Sequence, residues 1–206
     1  MSDKTAKAAF EKAIAANKKD IDAYLEYAQV LMALEKYGKA TDVYDDALEI
    51  EERAAIYFLQ GRAYQKVHEE EYDEDANTYD NHRDDFVENG AYNAYLCAER
   101  SFEKAVELEP ENVQYNCTIG KWKMEVGDPI YSGQGRMMFV YLKKAIELDP
   151  TFAEAHICLG KRCFEHRDYE EALEHFQQAA KSTPDDRHLH ESIRACKRAI
   201  DDRPKR

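Results

Sequence analysis

One nine-residue pattern decides the fold, because it recurs three times: FEKAVELEP at residues 102–110, LKKAIELDP at 142–150 and FQQAAKSTP at 176–184. Each copy has a large apolar residue, an Ala three positions later and a Pro five positions after that. Phe10 with Ala13, and Tyr44 with Ala47, repeat the start of the pattern. Such self-similarity indicates a repeat architecture, and a Pro at the end of each copy predicts a helix that stops there.

A second pattern lies upstream of each copy and places a small residue next to large ones. It comprises Tyr27-Ala28 with Leu31, Gly61 with Tyr64, Ile119-Gly120, and Leu159-Gly160 with Cys163. Together the two patterns resemble the tetratricopeptide repeat (TPR), whose period is 34 residues. Residues 21–54 and 153–186 fit that period without a gap. In the second of these ranges the signature positions hold Leu159, Gly160, Tyr169, Ala172, Phe176, Ala179 and Pro184.

The resemblance covers nearly the whole chain. It implies an all-α fold, a right-handed α-solenoid of antiparallel helix pairs with about ten helices in one TPR domain, 1–206. The segments are an N-terminal helix in 1–20, repeats at 21–53, 54–112, 113–152 and 153–186, and a capping helix in 187–206. Helices are expected at 3–16 and 187–201, with pairs at about 21–51, 54–109, 113–149 and 153–182. The capping helix should expose Arg194, Lys197, Arg198 and Asp201.

Small residues at the recurring positions predict close approach of the two helices in a pair. Two capping boxes are also predicted, from Thr151 to Glu154 and from Asp168 to Glu171, because each has an acceptor at a helix start and a carboxylate three residues later.

Composition favours a soluble protein of a reducing compartment. The 206 residues are 44% hydrophobic and 34% charged, with 8 Gly and 5 Pro. No apolar run is long enough for a membrane span and no leader is evident, so we expect a cytoplasmic protein. The five cysteines are odd in number and form no Cys-x-x-Cys, which predicts reduced thiols. A net charge of −13 argues against nucleic-acid binding.

Two insertions interrupt the repeats. Residues 67–90 carry ten acidic side chains against Arg83 and supply −9 of the net charge, and a shorter insertion lies near 128–135. A solvated loop is the favoured interpretation of the first, although its aromatic residues could pack. The spacing from Asp73 to Asp84 matches a calcium loop, but Thr78 replaces the required Gly and Asp84 the bidentate Glu. A third hypothesis makes this segment a tethered acidic lid over the groove.

The resemblance also implies a binding groove, because the first helix of each pair lines the concave face in this family. The predicted peptide-binding residues are Gln29, Phe58, Arg62, Lys66, Lys121, Met124, Ile157, Lys161 and Phe164. Long cations among apolar neighbours suit an extended or helical peptide that carries acidic residues. The alternative is that these cations pair with groove acids such as Glu125, Glu154 and Glu165.

Other sites are not predicted. One TPR subfamily clamps the carboxylate ends of heat-shock chaperones with Asn at repeat position 6, where this chain has Glu26, Leu59, Thr118 and Cys158. Cys158, Cys163 and His166 have a zinc-like spacing, but the three do not converge on a helix. We therefore expect no catalytic residues, no cofactor and no metal.

The sequence therefore predicts a protein-protein interaction module or scaffold that binds a peptide or partner segment, possibly acidic, in the concave groove. One alternative is a self-assembling structural TPR protein in which the helix at 3–16, through Ala6, Phe10, Ala13 and Ile14, plugs a neighbouring groove. Another is a metal-regulated protein or an enzyme.

Overall fold

The computed structural model describes residues 3–71, 90–125 and 134–202, which form ten α-helices and the turns between them. The helices are α1 (Asp3–Ala16), α2 (Ile21–Ala33), α3 (Tyr37–Ile50), α4 (Ala54–Glu71), α5 (Gly90–Leu108), α6 (Val113–Glu125), α7 (Gln134–Leu148), α8 (Ala153–Glu165), α9 (Tyr169–Ser182) and α10 (Arg187–Asp201). The predicted all-α class is confirmed. The pairs α2–α3, α4–α5, α6–α7 and α8–α9 each pack together, as the repeat pattern predicts.

Parts of both predicted insertions lie outside the described residues. This applies to residues 72–89, including the calcium-like spacing from Asp73 to Asp84, and to residues 128–133 of the shorter insertion. Helix α4 continues to Glu71, so the first residues of the predicted 67–90 segment are helical, and Gly90 already belongs to α5.

The chain divides into two compact units, residues 1–109 and 110–206. In the first unit, α2, α3 and α4 share a core around Leu31, Tyr44 and Ile56. The second unit has one core around Leu142 and Leu159 and another around Phe176 and Leu189. That residues 1–206 act as a single domain stays a prediction.

Glycine at the recurring small position allows an aromatic or branched side chain of the second helix to lie against the first helix. A Cβ built on Gly160 would be 2.7 Å from Cε1 of Phe176. On Gly61 it would be 2.6 Å from Cδ1 of Phe102, and on Gly120 it would be 2.7 Å from Cγ of Leu142. These separations are shorter than van der Waals contact, so the predicted close approach is present in three helix pairs.

Two helices end in the same backbone motif. Glu35 after α2 and Arg167 after α8 have positive φ angles of 58° and 68°. In each turn the next amide donates to a carbonyl five residues earlier, Lys36 to Leu31 and Asp168 to Cys163, both at 2.9 Å. This is a Schellman arrangement, which usually has Gly at the left-handed position.

The predicted capping boxes are wrong. Helix α8 follows Phe152, and the Thr151 hydroxyl donates instead to the carboxylate of Asp149 at 2.7 Å. Asp168 does precede α9, but its side chain makes no capping bond. Among the described helices, side-chain caps are found at Asp20, which accepts from the amide of Ala23, at Asn112, which accepts from the amide of Tyr115, and at Asp186.

A polar chain crosses the core of the first unit and joins three helices. The amide nitrogen Nε2 of Gln60 (α4) donates to Asp45 (α3) at 2.6 Å, and the hydroxyl of Ser101 (α5) donates to Oε1 of Gln60 at 2.8 Å. Gln60 and Ser101 are buried. Partial burial raises the pKa of the Asp45 carboxyl, although its hydrogen bond from Gln60 acts in the opposite direction.

Helix α1 packs on α2 of the same chain. The ring of Phe10 lies edge-on to Tyr24, with centroids 4.9 Å apart, and stacks on Tyr27 at 4.8 Å. Ala6 is buried, and Asp3 forms an ion pair with Lys36. Of the four residues that would plug a neighbouring groove, Ala6 is buried and Phe10, Ala13 and Ile14 are half-buried within this chain. That α1 plugs a neighbouring groove stays a prediction.

Candidate peptide-binding groove

The predicted groove residues of the first unit lie at least partly at the surface. Gln29 and Arg62 are exposed, and Phe58 is half-buried with its ring 6.0 Å from that of Phe102. Lys66 forms an ion pair with Glu69 on its own helix. Within the described part of the chain no ion pair of Arg62 is observed.

In the second unit, the predicted alternative of local pairing holds for one cation. Nζ of Lys121 (α6) is 3.0 Å from Oε1 of Glu154 (α8), with side chains 40% and 42% exposed. Glu165 is likewise 3.2 Å from Nη1 of Arg162. The side chain of Glu125, the third acid named in that alternative, lies outside the described residues. Lys121 therefore meets any ligand as part of an ion pair.

Lys161 and Phe164, two of the predicted groove residues, share a cleft. The cleft has a volume of about 190 Å³ and is lined by Lys161, Phe164, Glu165, Phe176, Ser192 and Ala195. Its walls are therefore α8, α9 and α10. Lys161 is exposed and, among the residues that the structure describes, makes no ion pair. Phe164 provides apolar surface, whereas Phe176 is buried, and the small side chains on α10 leave room beside Phe164.

Two other predicted residues are largely structural. Met124 packs against the core around Leu142, and Ile157 packs against the core around Phe176. Both are half-buried, so each offers only part of its side chain to a ligand.

The charge is distributed unevenly between the units. Residues 1–109 contain 13 Lys and Arg against 26 Asp and Glu, whereas residues 110–206 contain 16 of each. The whole net charge of −13 therefore belongs to the first unit. The predicted polar face of α10 is confirmed, since Arg194, Lys197, Arg198 and Asp201 are all exposed.

The sequence interpretation missed a cluster between α8 and α9. One ligand atom from each of Cys163, Glu171 and His175 lies within 4.8 Å of the other two. His156 lies beside them, with its Nδ1 atom 3.1 Å from Nδ1 of His175. Glu171 and His175 are four positions apart on α9, and His156 and Cys163 are seven apart on α8. Helical spacing alone could have placed each pair on one face. Of the three residues with a zinc-like spacing, His166 is exposed, whereas Cys158 and Cys163 are buried.

Family models for the tetratricopeptide repeat match residues 4–55 and 153–186. This chain is a tetratricopeptide repeat protein. Helix α1 with the first full repeat makes up one matched range, and α8 with α9 makes up the other.

Several solved structures share this fold. YrrB, described as a TPR protein with an unusual peptide-binding site, is 23% identical, covers 95% of this chain and 85% of its own, and has a TM-score of 0.64. MamA from Desulfovibrio magneticus RS-1 is 15% identical, covers 88% of this chain and 86% of its own, and has a TM-score of 0.65. At these identities the likeness concerns the fold alone.

A stretch of the chain is also similar to a curated protein, Hsp70-Hsp90 organizing protein 1 of Glycine max. The two are 37% identical over 54 residues, which is 26% of this chain and 9% of that protein. The match therefore spans about the length of one and a half repeats. Among the helices that the structure describes, none combines the length and apolar character needed to cross a membrane.

Proposed function

We propose that this TPR protein is a scaffold for protein interactions that binds an acidic peptide segment in the cleft between α8 and α10. The main observation in support of this proposal is that the exposed ammonium group of Lys161 borders an apolar cleft of about 190 Å³. Repeat proteins of this kind commonly use such surfaces for ligands. The peptide-binding site attributed to YrrB supports the same class of function.

The cleft has the size and chemistry for one apolar side chain with a carboxylate beside it. Burial of one Leu-sized side chain contributes about 1.5–3 kcal/mol, and an exposed ion pair with Lys161 adds at most about 1 kcal/mol. Glu165 also borders the cleft, but its charge is already compensated by Arg162. Binding through this cleft alone is therefore weak, and a longer peptide would gain affinity from the other predicted groove residues of the second unit.

The proposal does not include chaperone binding. The similarity to the organizing protein covers only 9% of that protein. The repeat positions that hold Asn in the chaperone-binding clamp hold other residues in this chain, namely Glu26, Leu59, Thr118 and Cys158. We place the function in a reducing compartment such as the cytoplasm, because all five cysteines are free thiols and four of them are buried.

Fluorescence anisotropy with two labelled synthetic peptides tests the proposal. In one peptide glutamates flank a single leucine, and in the other lysines replace the glutamates. The acidic peptide should bind in a salt-sensitive manner, and the basic peptide should not. Lys161→Glu and Phe164→Ala should each weaken binding. Lys181→Glu, at an exposed lysine of α9 that donates to Gln178, is the matched charge control and should bind normally.

Lys121→Glu should have a smaller effect than Lys161→Glu, because Lys121 is already paired with Glu154. Equal binding of the two peptides, or normal binding by Lys161→Glu, would show that the cleft is not an acidic-peptide site. A pull-down with the intact chain and with Lys121 and Lys161 reversed extends the test to natural partners. Light scattering over a range of protein concentrations would detect self-association, the alternative function.

A further inference from the structure

The cluster of Cys163, Glu171 and His175 offers three different metal-binding atoms on two packed helices. Their ligand atoms all lie within 4.8 Å of one another. Ligands around a tetrahedral zinc ion are roughly 3.3–3.8 Å apart, given metal–ligand bonds of about 2.0–2.3 Å. Small rotamer changes of Glu171 and His175 would therefore close the cluster around an ion. Cys163 is buried whereas Glu171 is exposed, so an ion could enter from the Glu171 side.

The hydrogen bonds of His156 determine which nitrogen of His175 is available. Nε2 of His156 is 3.0 Å from the carbonyl oxygen of Pro150, which can only accept, so this nitrogen carries the proton. Nδ1 of neutral His156 is then an acceptor, and Nδ1 of His175, 3.1 Å away, must donate to it. The lone pair of His175 is consequently on Nε2. His156 acts as a positioning residue for His175, in the same way that outer-shell partners fix metal-binding imidazoles.

We propose that Cys163, Glu171 and His175 bind one Zn²⁺ ion, with a fourth position open to water. Thiolate, imidazole and carboxylate are the ligand types that zinc prefers, and three protein ligands leave one tetrahedral position. Binding replaces the Cys163 S–H bond by an S–Zn bond, and the displaced proton is released to solvent. Because Cys163 belongs to α8 and the other ligands to α9, the ion would join the two helices of the last repeat.

The test uses the full chain with Zn²⁺ and with Co²⁺ as a spectroscopic substitute. Zinc should bind one ion per chain in competition with a chromophoric chelator. It should also release about one proton per ion in weakly buffered solution and raise the thermal unfolding midpoint, because an ion that binds only the folded state stabilises it. Cobalt should show a thiolate charge-transfer band.

Matched variants separate the site from adventitious binding. Cys163→Ser should abolish the cobalt band and weaken zinc binding at least about tenfold, whereas Cys158→Ser should not. Cys158 is the best control, since both thiols lie in α8 and are 4–5% exposed. Glu171→Gln and His175→Gln should also weaken binding, and Glu170→Gln and His188→Gln should not. His156→Leu should lower cobalt affinity while the thiolate band persists at saturation.

No zinc binding by the folded wild type, or equal binding by Cys163→Ser and Cys158→Ser, overturns the proposal. Circular dichroism of each variant shows whether it is folded, and Glu171→Gln, at an exposed position, tests the site even if Cys163→Ser does not fold. The peptide proposal does not depend on this result, because its variants and its readout are different.

Discussion

Substitution of Gly160 by Ala measures how closely the helices of the last repeat must approach. The new Cβ would be 2.7 Å from Cε1, 2.8 Å from Cδ1 and 3.1 Å from Cζ of Phe176. Normal carbon contacts are about 3.5–4.0 Å, so the ring or the helix must move by roughly 1 Å. Phe176 is only 2% exposed, so its surroundings restrict that movement.

Two opposing effects determine how much Gly160→Ala changes the free energy of unfolding. Alanine in place of a helical glycine gains about 1 kcal/mol from helix propensity, whereas overpacking a filled core costs about 1–3 kcal/mol. Gly38 of α3 provides the control, since a Cβ there has nothing within 4 Å. Gly38→Ala should raise stability by up to about 1 kcal/mol, and Gly160→Ala should be less stable than Gly38→Ala by about 1–3 kcal/mol.

Urea denaturation followed by far-ultraviolet circular dichroism measures both variants. Gly160→Leu adds three further carbon atoms at the same contact and should destabilise by at least the overpacking cost, about 1–3 kcal/mol. In a Phe176→Leu background, Gly160→Ala should cost less than in the wild type, because the ring that it meets has been removed. If Gly160→Ala and Gly38→Ala are equally stable, the close contact does not constrain the fold.

Three further predictions concern the first unit. Asp45→Asn keeps an acceptor for Gln60, so its stability should equal or exceed that of the wild type at neutral pH. Because the folded-state pKa of Asp45 is raised, protonation favours the folded wild type, and the difference in urea midpoints should shrink as the pH falls towards about 4. Phe10→Ala removes the aromatic contacts of α1 and should speed hydrogen exchange in residues 3–16 while α8 and α9 remain protected. Glu35→Gly should raise stability by up to about 1 kcal/mol, because Glu35 has a φ of 58°, and Glu35→Ala should not.

The helical framework could be predicted from the sequence because its determinants are local and repeated. Small residues and Pro recur at fixed offsets, so the expected helix pair at 113–149 agrees within one residue with the observed α6–α7 pair, Val113–Leu148. Helix starts were less predictable. Thr151 and Glu154 have the spacing of a capping box, but α8 begins one residue later, after Phe152, and the Thr151 hydroxyl donates to Asp149. A pattern of residue types does not reveal which neighbour a hydroxyl prefers.

The surface residues could be predicted, but their pairings could not. The repeat register places Lys121 and Lys161 at equivalent positions, yet Lys121 pairs with Glu154 and Lys161 borders a cleft. That difference depends on which side chain of the next helix lies opposite each cation. The cluster of Cys163, Glu171 and His175 was not predicted for the same reason. Its members lie on two helix faces that come together only when α8 packs against α9.

If the proposed acidic partner binds, the charge distribution predicts which unit it approaches. The first unit contains twice as many acidic as basic residues, so it repels an acidic segment. Its predicted groove cations are Arg62 and Lys66, and of these only Arg62 has no ion pair with another described residue. The second unit has equal numbers of both charges, together with the exposed Lys161 beside an apolar cleft. Repulsion between exposed charges weakens over about 8 Å at physiological salt, so it acts mainly on segments that approach the first unit closely. An acidic peptide is therefore favoured at the second unit, and selectivity for acidic over basic peptides should be retained by residues in 110–206 rather than by the strongly acidic half of the chain.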